Sequence, residues 1–543
     1  MMRYSIRVPR RGPALLATAV ALATVAACSN GSPSGTQPPS SPSGGTSTSA
    51  APTSVPPPSP TPTPTPTRTY PLSSAPRTVP AVRDHEAARG PGWKPAPAAG
   101  IVLGPNSAGL ADEGRLLAGE LGVPYRGAVA AGPGDVELAL GAKGAPESYT
   151  LAVRDGRVRI SGPDEAGVFY GTRTLKQSVR ATGAMPEGTV TDRPAKPQRG
   201  LMVDIARKHF TAAWIEDRIR EMGDLKLNQL GLHFSDDQGF RVASDSHPEV
   251  VSAQHLTKAE VRRILALAAS RHITVIPEID SPGHLGAVIA AHPDLQLTSA
   301  SGRAPRGAVD ISDPDSARIV DDLLREYTQL FPGAYWHLGA DEYVALMSQN
   351  PEASYPQLAS AARAKYGASA RVQDLATGWL NDRAAVVRPT GKTLKAWNDG
   401  FFPGGVVSAD RDIEVEYWTG KEIGARPPTA YLSAGRKLVN LNDEYLYYVL
   451  GQPNDFTYPT GRRIYEQWTP LVVRGTTPVP ARYDPQILGA RFAVWCDLSG
   501  AQTQAQVADG IRLPLAALAQ KVWDPAKPTL TWDQFRALAA KVR

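Results

Sequence analysis

Ile273-Thr274-Val275-Ile276-Pro277-Glu278-Ile279-Asp280-Ser281-Pro282-Gly283-His284 is the stretch on which the fold turns. A short apolar run bounded by turn residues reads as a buried strand. An acid and a histidine stand at its carboxyl end. Lys258–Arg271, just before it, reads as an amphipathic helix. The same unit recurs outward in both directions. Strands are expected at Leu201–Ile205, Gln229–Phe234, Tyr335–Leu338, Thr393–Trp397, Ile413–Trp418, Leu438–Leu441 and Arg491–Trp495. Further helices are expected at Ala212–Leu227 and Asp315–Leu330. Buried strands separated by helices from residue 198 to 543 predict a (β/α)8 TIM barrel. A doubly wound sheet is the alternative, but no Gly-rich phosphate loop follows a strand.

Residues 80–197 read differently, as a small α+β accessory domain. Ile101–Leu103, Val136–Leu140, Tyr149–Val153 and Arg157–Ile160 are predicted strands, the last two joined at Asp155-Gly156, a strong hairpin signal. Glu165–Arg180 is a predicted helix. No catalytic constellation is visible there.

The amino terminus reads as an address. Met1 to Gly12 carries Arg3, Arg7, Arg10 and Arg11 without an acid, and a short apolar segment runs on to Ala27. Residues 1–27 are therefore expected to be an export signal. Val25-Ala26-Ala27-Cys28 resembles a bacterial lipobox, which implies a lipid on Cys28 and attachment to the outer face of the cell membrane. Residues 28–79, rich in Ser, Thr and Pro, are expected to be a disordered linker, since they offer little apolar surface to offset their ordering entropy. The chain's 58 Lys+Arg against 52 Asp+Glu give +6. Without the leader the balance is 58 − 4 = 54 against 52, or +2, so nucleic acid is not an expected partner. Two cysteines, Cys28 and Cys496, rule out a disulfide framework. Cys496 reads as a packed thiol.

The expected strand ends carry the chemistry, because barrel sites lie at the carboxyl ends of the strands. Asp204 and Arg207 follow strand one, Asp236 and Asp237 strand two, Asp280 and His284 strand three, and Asp341 and Glu342 strand four. Trp397 ends strand five and Trp418 strand six. Asn442-Asp443-Glu444-Tyr445 follow strand seven, and Trp495-Cys496-Asp497 strand eight. Carboxylates supply acid–base chemistry, and tryptophans offer apolar faces to a sugar ring. Together they point to glycoside hydrolysis. The nine histidines form no His-x-His or His-Glu-x-x-His pair, so neither a metal nor another cofactor is expected.

Four segments, Arg199–Arg207, His233–Arg241, Ile276–His284 and His337–Glu342, resemble the motifs of glycoside hydrolase family 20, best known for β-N-acetylhexosaminidases. The resemblance implies a retaining reaction in which the substrate's own acetamido oxygen is the nucleophile, an exception to the scheme of two opposed carboxylates. It implies Glu342 as general acid and base, and Asp341 as the group that orients the acetamido N–H. It implies Arg207, Trp397, Trp418, Trp495 and Asp497 as substrate-binding residues, and Tyr445 as donor to the acetamido carbonyl. His284 would support Glu342 with one of Asp236 and Asp237, Asp237 being preferred. Two departures stand out. Asp497 replaces the usual Glu, and Tyr447 stands where an Asp often follows the Tyr by two residues. Both resemble lacto-N-biosidases, members of the same family that release Gal-β-1,3-GlcNAc, so release of a disaccharide is the alternative activity. A lipid-anchored carbohydrate-binding protein with a dead barrel is the alternative of another class. It would predict loss of the acid, and Asp341 and Glu342 are both present.

Overall fold

The computed structural model describes residues 69–421 and 425–543. The leader, Cys28 and the linker as far as residue 68 lie outside the described residues. The last residues assigned to the linker are packed. Leu72 pairs with Arg89, Thr78 and Val79 are buried, and Val79 N donates to Gln177 Oε1 at 2.7 Å. The expected boundary at residue 79 therefore falls too late. The reason is that Val79 carries apolar surface that the barrel's main core takes up.

The accessory domain is a seven-stranded mixed sheet. Its middle strands, Ile101–Leu103, Val136–Leu140 and Arg157–Gly162, run parallel, and Tyr149–Arg154 pairs antiparallel with the last of them. Asp155 and Gly156 both take positive φ, 51° and 71°, as the two-residue hairpin turn requires. Glu165–Thr182 packs on the sheet, its first turn capped by Asp164. Strands Asp84–Ala87, Tyr125–Gly127 and Gly188–Asp192 and helix Ala111–Leu121 complete the domain beyond what was expected.

The second body is the expected barrel. Its strands are Gln198–Asp204, Gln229–His233, Thr274–Glu278, Tyr335–His337, Thr393–Trp397, Glu414–Tyr417, Leu438–Asn440 and Ile487–Trp495. Each runs parallel to the next, and strand eight closes on strand one from Gly489↔Gln198 to Val494↔Val203. Strand seven is interrupted. Tyr445 N and Leu446 N both reach Asn442 O, at 3.1 and 2.9 Å, which makes one helical turn. The chain then rejoins the sheet as Tyr447–Val449, beside the upper half of strand eight.

The accessory domain sits at the amino-terminal ends of the barrel strands. Arg199, which opens strand one, forks onto Glu147 at 2.8 and 3.0 Å. Lys226, just before strand two, donates to Tyr149 Oη at 2.9 Å and Thr174 Oγ1 at 2.8 Å, and burial pushes its ammonium down to about 8. Trp523, from the last residue of barrel helix Gln504–Trp523, enters the accessory core and donates to Asp192 at 3.0 Å. This arrangement leaves the carboxyl ends of the strands uncovered by the accessory domain.

Candidate active site

The carboxyl end of strand four is bent into the barrel mouth. Gly339, Ala340 and Glu342 all have positive φ (70°, 80° and 47°), and His284 joins them at 56°. Three non-glycine residues in this region mark a backbone held under strain by its surroundings. Gly339 is required, because a Cβ there would collide with the Asp280 carboxylate. Asp280 Oδ1 accepts from Ala340 N at 2.9 Å, and Asp399 Oδ2 accepts from Glu342 N at 3.0 Å. Asp341 and Glu342 are thereby presented side by side to a cavity of about 600 Å³.

Arg207, His284, Trp418, Trp495 and Asp497 share that lining. Arg207 is pinned by Asp204 at 3.1 Å and Asp236 at 2.8 Å, and lies over Trp495 at 5.2 Å. Asp497, near Arg207, has its carboxyl raised by burial, with Arg207 opposing. Trp418 donates its indole N–H to Asp399 Oδ1 at 3.0 Å. One buried acid thus holds both the Glu342 backbone and the Trp418 ring.

Proton placement follows from charge and burial. Burial, reinforced by the neighbouring Asp341, holds the Asp280 carboxyl well above the usual range. Asp280 therefore keeps a proton and shares it with Asp341. Asp341 lines the cavity, its Oδ1 buried and its Oδ2 3.7 Å from His284. Burial alone would lower the imidazole of His284, but Asp236, Asp280 and Asp341 raise it well above its ordinary value. The resulting imidazolium stands 3.7 Å from Asp341 and 3.6 Å from Glu342.

Three expected placements change. The carboxylate facing His284 Nδ1, at 3.4 Å, is Asp236 and not Asp237. Asp236 also takes His233 at 2.8 Å, and its cationic neighbours hold its carboxyl well below the usual range against burial. Asp237 instead accepts from Gly286 N at 3.1 Å and pairs with Arg306 at 3.5 Å. The cause is the small hairpin in which Asp236 pairs with Gly239, where successive side chains leave opposite faces. Trp397 is the second change. It is 1% exposed, donates to Glu278 at 2.7 Å, and packs behind Trp495 without lining the cavity. Tyr445 is the third. The helical turn after Asn442 sends it into the outer core beneath Arg463, at 4.2 Å. Tyr447 lines the cavity in its place, with Val449 two residues on.

Asp280, His284 and Asp341 converge within 4.8 Å, close enough to suggest a metal. Here the three groups engage one another and Asp236 instead, His284 facing Asp236 at 3.4 Å and Asp341 at 3.7 Å, and Asp280 bonding Asp341. Asp280 and Asp399 were given no role from sequence, Asp236 was the less favoured of two acids, and Tyr447 was noted only as a departure from the family pattern. Asp280 and Asp399 each sit just past a strand end, and that position was their only signal.

Comparisons with known proteins agree with this fold. The profile of glycosyl hydrolase family 20, catalytic domain, matches residues 197–526, and that of the family's domain 2 matches residues 75–193. The chain is 30% identical over 397 residues to a lacto-N-biosidase from Bifidobacterium bifidum, covering 73% of this chain and 34% of that protein. It is 28% identical over 432 residues to a β-N-acetylhexosaminidase from Cellulomonas fimi, covering 73% and 77%. The chain thus spans about a third of the first relative's length. Among solved structures, a family 20 β-N-acetylhexosaminidase from Streptomyces coelicolor A3(2) superposes with a TM-score of 0.69 at 25% identity, over 87% of this chain and 95% of that one.

Proposed function

The chain belongs to glycosyl hydrolase family 20, and from that premise we propose that it is a retaining, substrate-assisted β-N-acetylhexosaminidase. The observation that carries the reading is that Asp341 and Glu342 line the cavity side by side, with His284 3.7 and 3.6 Å from them. In this reading the acetamido N–H of the substrate donates to Asp341. That turns the acetamido oxygen onto the anomeric carbon, and Tyr447 Oη steadies the carbonyl. As the glycosidic bond breaks, Glu342 protonates the departing oxygen. The acetamido oxygen forms the new bond to the anomeric carbon, and Asp341 offsets the positive charge of the cyclic intermediate. Water then attacks the same carbon while Glu342 takes its proton, restoring both groups. Neither carboxylate attacks from across the ring, which is why neighbours in sequence suffice. Arg207 and Asp497 would take the outer hydroxyls. Trp495 and Trp418 would wall the ring, and Asp236 would hold His284 against Glu342. The test is release of the aryl alcohol from an aryl N-acetyl-β-glucosaminide. No turnover of this substrate or of an aryl lacto-N-bioside would end the enzyme reading.

Release of a disaccharide is the second reading, favoured by a specific observation. Two positions after Tyr447, where an acid would close the pocket around a single sugar, stands Val449. Asp497 reaches less far than Glu by one methylene. A cavity of about 600 Å³ is of the size that holds drug-sized ligands, and a disaccharide is of that class. The ratio of the two aryl substrates' rates separates the readings.

We further propose that the enzyme is exported and anchored by a lipid on Cys28, on the outer face of the bacterial membrane. The basic and apolar leader and Val25-Ala26-Ala27-Cys28 support this. Mass spectrometry of the mature amino terminus tests it, and an unmodified chain starting elsewhere would end it.

A further inference from the structure

His247, Glu249 and His292 meet outside the pocket, on the loops that follow strands two and three. His247 Nδ1 and His292 Nε2 lie 2.9 and 3.0 Å from the same oxygen, Glu249 Oε1. The two rings are nearly perpendicular, their centroids 6.3 Å apart. The three ligand atoms all fall within 4.8 Å of one another. Backbone geometry fixes these positions. His247 precedes the turn Pro248–Val250 and donates its N–H to Ser244 Oγ at 3.0 Å, while His292 ends helix Gly286–Ala291 and donates to Val288 O at 2.9 Å. The far nitrogen of His247 is buried, has no hydrogen-bond partner among the described residues, and faces the Asp322 carboxylate at 3.7 Å. A carboxylate behind a histidine is the outer arrangement that orients imidazole towards a metal.

We propose that His247, Glu249 and His292 form a binding site for one divalent transition-metal ion, zinc fitting best, that ties the strand-two loop to the strand-three loop. Two imidazoles and a carboxylate are the donor set zinc accepts, with water as fourth ligand, and imidazole disfavours calcium and magnesium. Ligands at zinc's bond lengths of about 2.0–2.1 Å stand roughly 3.4 Å apart in a tetrahedron, so the two histidine–glutamate pairs, at 2.9 and 3.0 Å, open by only a few tenths of an ångström. The ion takes the place of the two hydrogen bonds to Glu249, each imidazole binding through one ring nitrogen and keeping its proton on the other. None of the three residues lines the pocket. Their loops do reach it, since Gly286 N bonds Asp237 from the other loop at 3.1 Å and His284 lies two residues before. The ion would therefore brace the support of the active site without touching substrate.

Calorimetric titration of the chelator-treated full chain with zinc chloride tests this. One equivalent should bind and raise Tm by about 4 °C or more at saturating zinc. His247→Ala, His292→Ala and Glu249→Gln should each abolish that rise. Their Tm and aryl-glycoside turnover without zinc should match the parent's, which shows that they fold. Absence of binding overturns the proposal. So does zinc that still binds a His247→Ala/His292→Ala chain, or that binds while inhibiting turnover, which would place it in the pocket instead.

Discussion

Tyr447 lies parallel to Trp418, the ring centroids 5.7 Å apart and the planes within 4° of each other. The pair forms one wall of the cavity, and Phe456 extends it at 6.3 Å from Tyr447. The wall exists because strand seven breaks after Asn440 and restarts at Tyr447. Removing the Tyr447 hydroxyl with Tyr447→Phe should lower kcat by about 10- to 1,000-fold, with a smaller change in KM, the range seen for loss of one donor that positions a reacting group. Tyr445→Phe should leave kcat within about twofold. Steady-state kinetics on both variants decides, and the reverse ranking would restore Tyr445.

Glu342→Gln should cut turnover of a natural glycosidic linkage by at least about 100-fold, and much less for an aryl substrate whose leaving group needs no proton. Asp341→Ala should impair both substrates, because the charge it offsets develops whatever the leaving group. A chain with Asp341→Ala at full rate would remove the substrate-assisted mechanism.

Asp236→Asn should weaken activity and shift the pH–rate profile, since Asp236 is among the carboxylates that keep His284 protonated. Asp237→Asn should leave the profile where it is. Profiles of kcat/KM from pH 4 to 8 distinguish them, and equal profiles for the two variants would count against Asp236.

Val449→Asp tests the width of the pocket. The added acid should reduce release of the disaccharide relative to the monosaccharide by about 10-fold or more, on the scale of crowding one site group against a ligand. An unchanged ratio on the two aryl substrates would show that Val449 does not set it.

Stability should fall as pH rises from about 6.5 to 8. His233 titrates near 6.5 when unfolded, but Glu278 and Asp236 outweigh burial and raise it to about 10 in the folded chain. Its contribution is therefore complete below the unfolded value and lost on the way up, at up to about 1.4 kcal/mol per pH unit. His284 acts in the same sense. Above pH 8 the decline should flatten, because Lys226 and Lys395, lowered by burial to about 8, shed protons before the unfolded chain does. Scanning calorimetry reads the sign, and a Tm that climbs from pH 6.5 to 8 would contradict it.

The barrel was legible because each of its strands is a short apolar run, and the acids that matter follow those runs directly. Asp341 and Glu342 needed no further information than their place after Leu338. What escaped was phase. Tyr445 rested on the resemblance alone, and one helical turn after Asn442, invisible in the motif, gives its place to Tyr447. The hairpin at Ser235–Asp236 likewise decided which of two adjacent acids faces inward. Trp397 does end its strand, but the depth of a ring along the barrel axis depends on Trp495 packed over it. In the accessory domain, edge strands such as Tyr125–Gly127 were too short to show a period.

The contact between Asp192 and Trp523 spans 331 positions of sequence. A chain emerging from the ribosome completes the accessory sheet long before Trp523 exists. Its core lacks that indole until nearly the whole barrel has been synthesised. Interactions of such long sequence separation form late, because the loop they close is entropically costly. The amino-terminal domain is thus made first and finished last, and a nascent chain stalled inside the barrel would expose an unfilled site in the domain that precedes it.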